Sequence, residues 1–116
     1  MAKVKKFKLQ KDEIKPLAED HGSCFATDRI TVDGAKVGFM YREEPDFEDD
    51  SGWRFMSGDE SQSYLDNPDN LALYDVNTIA NYDPEIIPFL DAPPGCELQR
   101  DPKTGQFGEV DSEPDE

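Results

Sequence analysis

Six carboxylates crowd into the eight residues 43–50, EEPDFEDD. Oxygen ligands at alternate positions are what a calcium loop needs, and Asp46, Glu48 and Asp50 have that alternation. The pattern then fails at two places. The glycine required at the sixth position comes one residue late, at Gly52, and the twelfth position holds Ser57 instead of Glu. The run is therefore expected to be a solvated loop, interrupted by Pro45, and not a metal site. His21 is the sole histidine and lies beside Glu19 and Asp20. Cys24 and Cys96 are far apart and in no metal-ligand spacing, so a surface histidine and two reduced thiols are expected. Asp59, Glu60, Asp75 and Asp83 could supply paired carboxylates for hydrolysis. Three of them have a simpler role: Asp59, Glu60 and Asp83 fall where helices should start, and negative charge there complements the helix dipole. Gly52 and Gly58 flank a strand and lack the Lys-Ser/Thr of a phosphate loop. No reaction is specified, so no catalytic residue, metal or cofactor is expected.

The elements that must hold these groups are short. Ser23 to Thr27 reads as a strand, and residues 29–32 lead into Asp33-Gly34, a hairpin signal because both central positions of a type I′ turn need positive φ. Residues 36–41 form the returning strand, with Val37, Phe39 and Tyr41 on one face and Gly38 and Met40 on the other. Trp53 and Phe55 alternate with Arg54 and Met56, as core-facing residues of a half-buried strand do. Arg42 and Arg54, among so many acids, are expected to be internal salt-bridge partners. Ser57 with Glu60 reads as a capping box opening a helix over about 59–65. The Asp66-Asn67-Pro68-Asp69-Asn70 cluster is a turn, residues 71–76 a strand, and Asn77-Thr78 the start of a short helical turn. Asp83 followed by Pro84 starts another short helix over 85–90, and Pro93-Pro94-Gly95 stops it. Residues 96–100 form a last strand, to which the turn at Lys103-Thr104-Gly105 returns Phe107. The pattern predicts a single small α+β domain, with a mainly antiparallel sheet of about five strands and two or three short helices.

At 116 residues one domain is expected, burying about 65% of its extended-chain surface. Charge is unevenly placed: the first fifteen residues hold six lysines against two acids, +4, and the remainder holds six basic and 25 acidic residues, −19. A field of that sign repels nucleic acid and anionic lipid and draws in basic proteins. The chain thus divides into a basic arm over 1–15, a folded domain over 16–108 and an acidic, disordered tail over 109–116. No apolar run is long enough to span a membrane and no signal peptide is visible, so a cytoplasmic location is expected.

Four segments together resemble a known bacterial family: VGFMYREE from Val37, DSGWRF from Asp50, SGDE from Ser57 and YDVNTIANYDPEI from Tyr74. The family is immunity protein family thirty-three, formerly a domain of unknown function, and the resemblance spans roughly residues 23–100. It implies a small cytoplasmic α+β protein that neutralises a toxin by binding it, without catalytic residues to carry over.

Charge and resemblance converge on a non-enzymatic acidic protein that binds a basic partner, a toxin or nuclease. The residues expected to meet that partner are Glu43, Glu44, Asp46, Glu48, Asp49 and Asp50, with Asp59, Glu60 and the aromatic Tyr64. Such charges steer encounter, while aromatic anchors supply most of the affinity. Two other readings are a DNA-mimicking inhibitor of a nuclease or defence system, and a carboxylate- or metal-dependent hydrolase.

Overall fold

The computed structural model describes residues 6–110. Six strands, β1 (Ser23–Thr27), β2 (Phe39–Arg42), β3 (Asp50–Met56), β4 (Leu71–Asp75), β5 (Glu97–Arg100) and β6 (Phe107–Glu109), form one sheet in the order β4-β1-β3-β2-β5-β6. The β1–β3 pair is parallel and the other four pairs are antiparallel. The fold is α+β as expected, with one strand more than foreseen. Three short helices, α1 (Asp28–Thr31), α2 (Gln62–Asp66) and α3 (Val76–Tyr82), accompany it, with 3₁₀ turns at Lys11–Glu13, Pro68–Asn70 and Pro84–Phe89. Among the described residues no helix is long and apolar enough to cross a membrane.

Alternation within the strands decides the core. Cys24 and Ala26 of β1, Trp53 and Phe55 of β3, Met40 of β2 and Leu98 of β5 are buried together with Val76, Ile79 and Ala80 of α3, Ile86 of the last 3₁₀ turn and Leu90, which caps that turn. Trp53 stacks on Phe55, 5.9 Å between ring centroids, and donates Nε1–H to the Leu90 carbonyl at 3.2 Å. The expected core role of these two rings is thus met. Met40 lies opposite Phe55 and is buried, which turns Phe39 and Tyr41 to the other side of the sheet; Val37, expected on their face, precedes β2 and is buried.

Three expectations are corrected. Asp33-Gly34 does not close a hairpin, because residues 28–31 coil into α1 with Ile30 and Thr31 buried, and β3 separates β1 from β2. The positive φ that Asp-Gly signals is real, 80° at Gly34, but it ends the helix, with Gly34 N–H donating to the Ile30 carbonyl. The helix expected from Asp59 begins at Gln62 instead, capped by Ser61 Oγ accepting from Tyr64 N–H at 3.1 Å. Gly58, at φ 98°, turns the chain first. Glu60 still reaches back as foreseen, accepting from Ser57 N–H at 2.8 Å, so half of the capping box survives as a turn. Finally, Glu109 belongs to β6 and not to the tail; the rest of the expected tail, apart from Val110, falls on 111–116, outside the described residues, as do residues 1–5 of the basic arm.

Lys6 to Ala18 carries a single helical turn and is held largely by side chains of the domain. Asn77 Oδ1 accepts from Leu17 and Ala18 N–H, both at 2.7 Å, while its Nδ2 donates to the Lys15 carbonyl. Tyr82 O–H donates to the Thr31 carbonyl and accepts from Leu9 N–H, and Phe7 meets Tyr74 edge-on.

Candidate partner-binding surface

α1, α3 and the Pro84–Phe89 turn pack on the core face of the sheet, and Arg54 projects from the other. β3 alternation sets Asp50, Gly52, Arg54 and Met56 opposite the core-facing Trp53 and Phe55. Arg54 Nη1 and Nη2 each donate to one oxygen of Asp50 at 3.0 Å, and Nε donates to Glu43 Oε2 at 2.8 Å. Asp46 approaches Nη2 at 3.7 Å, and the guanidinium sits 4.9 Å above the Phe25 ring. Arg54 is thereby only 6% exposed. Asp50 is buried and also accepts from Asp46 and Gly52 N–H, both at 2.9 Å. Its hydrogen bonds to Arg54 hold its carboxyl well below the usual range.

The acidic loop is therefore not uniformly solvated. Glu43, Glu44, Asp46, Glu48 and Asp49 are exposed, whereas Asp50 is spent inside the sheet and is withdrawn from any contact surface. Of the two arginines expected in salt bridges, Arg54 makes them. Arg42 instead donates to the carbonyls of Ser51 and Ala92 and lies over the Trp53 ring.

Asp59, Glu60 and Tyr64 gather at the opposite end of β3, about 20 Å away for a seven-residue strand. Asp59 is paired with Arg29 at 2.6 Å and accepts from Ser57 Oγ, and these hydrogen bonds keep its carboxyl low. Glu60 accepts from Thr27 Oγ1 at 2.6 Å as well as from the Ser57 and Gly58 amides. Tyr64 is half-buried, its hydroxyl pKa pushed up by burial and by the charges of Asp28, Asp33 and Glu60. The nine expected contact residues thus form two groups at the two ends of the sheet, with the helix-free face between them.

That face carries residues the sequence did not single out for contact. Across the strands, Leu73, Phe25, Arg54, Tyr41 and Glu97 stand in register, followed by Met56, Phe39 and Gln99. The signal was available in the strand alternation, but it gives a shared face without saying which face the helices cover.

The remaining reactive groups have structural duties. Asp75 Oδ1 caps α3 by accepting from Asn77 N–H at 2.9 Å. Asp83, fully buried, accepts from Val37 N–H at 3.0 Å, Glu85 N–H at 3.1 Å and Arg100 Nη2 at 2.5 Å. Cys24 and Cys96 are free thiols whose pKa values burial pushes up, the opposite of an activated nucleophile. Among the described residues, no three His, Cys, Asp or Glu side chains are grouped to hold a metal ion.

A family model described as the Immunity protein Imm33 domain matches residues 24–111. No curated protein and no solved structure matches the chain. The family points to toxin neutralisation. Since the match covers most of the chain, the protein belongs to the Imm33 immunity protein domain family.

Proposed function

We propose that this protein is the antidote to a basic toxin, which it neutralises by forming a stoichiometric complex. Membership of an immunity family supports the toxin as partner. The observation that carries the partner's basic character is the display of Glu43, Glu44, Asp46, Glu48 and Asp49 at one end of the sheet, with Arg54 alone among the described residues drawn in to offset them. Together with the net charge of −15, this end attracts a positively charged surface over a distance of about one Debye length, roughly 10 Å at 0.1 M salt. A toxin that attacks nucleic acid has such a surface in its substrate groove. The carboxylates would then stand where phosphates do. Exposed charges add little affinity individually, so their main contribution is to the association rate.

The test is a kinetic titration of the polypeptide encoded by the reading frame adjacent to this protein's gene. Association should slow steeply as salt rises, and Glu44→Gln with Glu48→Gln should reproduce part of that slowing at low salt. An association rate that ignores salt overturns the electrostatic mechanism; absence of any complex overturns the immunity reading.

A further inference from the structure

We infer that the helix-free face of the sheet is the docking platform, and that it takes a patch of the toxin in which apolar side chains are ringed by lysine and arginine. This rests on the immunity reading above and assigns it a surface.

A sheet packed on one side by helices ordinarily presents polar residues to water on the other. Here the open side carries Phe25, Phe39, Tyr41, Met56 and Leu73, with Leu73 50% exposed and the others half-buried. Phe39 and Tyr41 lie ring against ring at 5.6 Å, so the centre of the face is aromatic and rigid. Aromatic side chains held by a strand lose little freedom on binding and are the residue type enriched among binding hot spots.

Charge sets what can cover it. In the register rows named above the sole cation is Arg54, which is buried and faces three carboxylates, those of Glu43, Asp46 and Asp50. One positive against three negative leaves a local surplus of two negative charges. The side chain of Asp46 is 78% exposed and that of Glu43 about half, so the surplus faces outward. Glu97 borders Tyr41 on the β5 side, and Glu60 closes the far end through Thr27. An apolar centre with a negative rim is complementary to an apolar centre with a positive rim. It is not complementary to itself, which argues against a second copy of this chain, and among the described residues its register rows offer no free cation for nucleic acid.

Two arginine substitutions separate contact from net charge. Leu73→Arg and Leu17→Arg alter the chain's charge equally, at residues of similar exposure, 50% and 44%, but Leu17 lies on the segment bound to α3. With the polypeptide of the adjacent reading frame as probe, Leu73→Arg and Tyr41→Ala should each weaken the complex about tenfold or more, and Leu17→Arg by less than about threefold. Unchanged unfolding midpoints would confirm that the variants remain folded. If Leu73→Arg and Tyr41→Ala bind as the parent does, the platform is wrong while the immunity reading stands. If the unaltered protein sediments as a dimer that Leu73→Arg dissolves, the face is a self-interface and the proposal falls. If the unaltered protein forms no complex with the toxin, the immunity reading fails and the platform with it.

Discussion

Arg54 and Asp50, four residues apart on one strand, share two parallel hydrogen bonds of 3.0 Å on the face of the sheet turned away from the helices. The arrangement fixes both planes, anchors the end of the acidic loop through Asp46 and Gly52 N–H, and leaves the outer carboxylates free.

Removing the cation of that pair should be costly. Arg54→Met leaves a buried carboxylate without its cation and should destabilise the fold by about 3–5 kcal/mol in urea unfolding. The double variant Arg54→Met with Asp50→Asn should recover part of that loss.

Acid should weaken the same region. The folded-state pKa of Asp50 is depressed, so its contribution is complete above the unfolded value, about 4, and declines as pH falls below it. Unfolding midpoints between pH 7 and pH 2 should fall for the parent and fall less for Asp50→Asn.

Asp83 predicts a contrast with its neighbour Glu85. Both meet Arg100, but Asp83 is fully buried and also holds Val37 N–H, whereas the Glu85 side chain is mostly exposed. Asp83→Ala should cost about 3 kcal/mol or more, since it strands an amide and an arginine together. Glu85→Ala should leave the unfolding curve nearly unchanged.

Gly52→Ala should detach the acidic loop. Gly52 has φ 90°, and a Cβ there would lie 2.1 Å from the Glu43 carbonyl oxygen, which belongs to the backbone and has little room to yield. The variant should lose cooperative unfolding near room temperature, or show rapid amide exchange at Glu43, whose N–H donates to the Gly52 carbonyl.

Asn77→Ala tests how the N-terminal segment is held. It removes the acceptor for two amides and the donor to Lys15, so cleavage by a lysine-specific protease after Lys8 or Lys11 should accelerate. Global stability should fall by about 1–3 kcal/mol.

Local chemistry was readable where one residue decides the outcome. Asp83 before Pro84 capped its turn, Trp53 and Phe55 went to the core, and Ser23–Thr27 and Leu71–Asp75 formed strands. What failed depended on partners distant in sequence. Asp33-Gly34 requires a left-handed residue in either a hairpin or a helix end, and the burial of Ile30 decided for the helix. Phe39 and Tyr41 share a face by alternation, but the placement of α3 and the Pro84–Phe89 turn determined that this face stays open. Asp50 looked like one more solvated acid of its run. Its spacing from Arg54 along a strand was the missed clue, because residues four apart in a strand share a face.

The parallel pairing of β1 and β3 also sets a schedule. β1 is synthesised before both of its neighbours: β3 begins at Asp50 and β4 ends at Asp75. Until residue 75 has emerged, Ser23–Thr27 has no complete set of partners, and its registers with Arg54 and Leu73 close long loops whose entropy opposes early formation. The central β4-β1-β3 part of the sheet therefore closes only after β4 has been made.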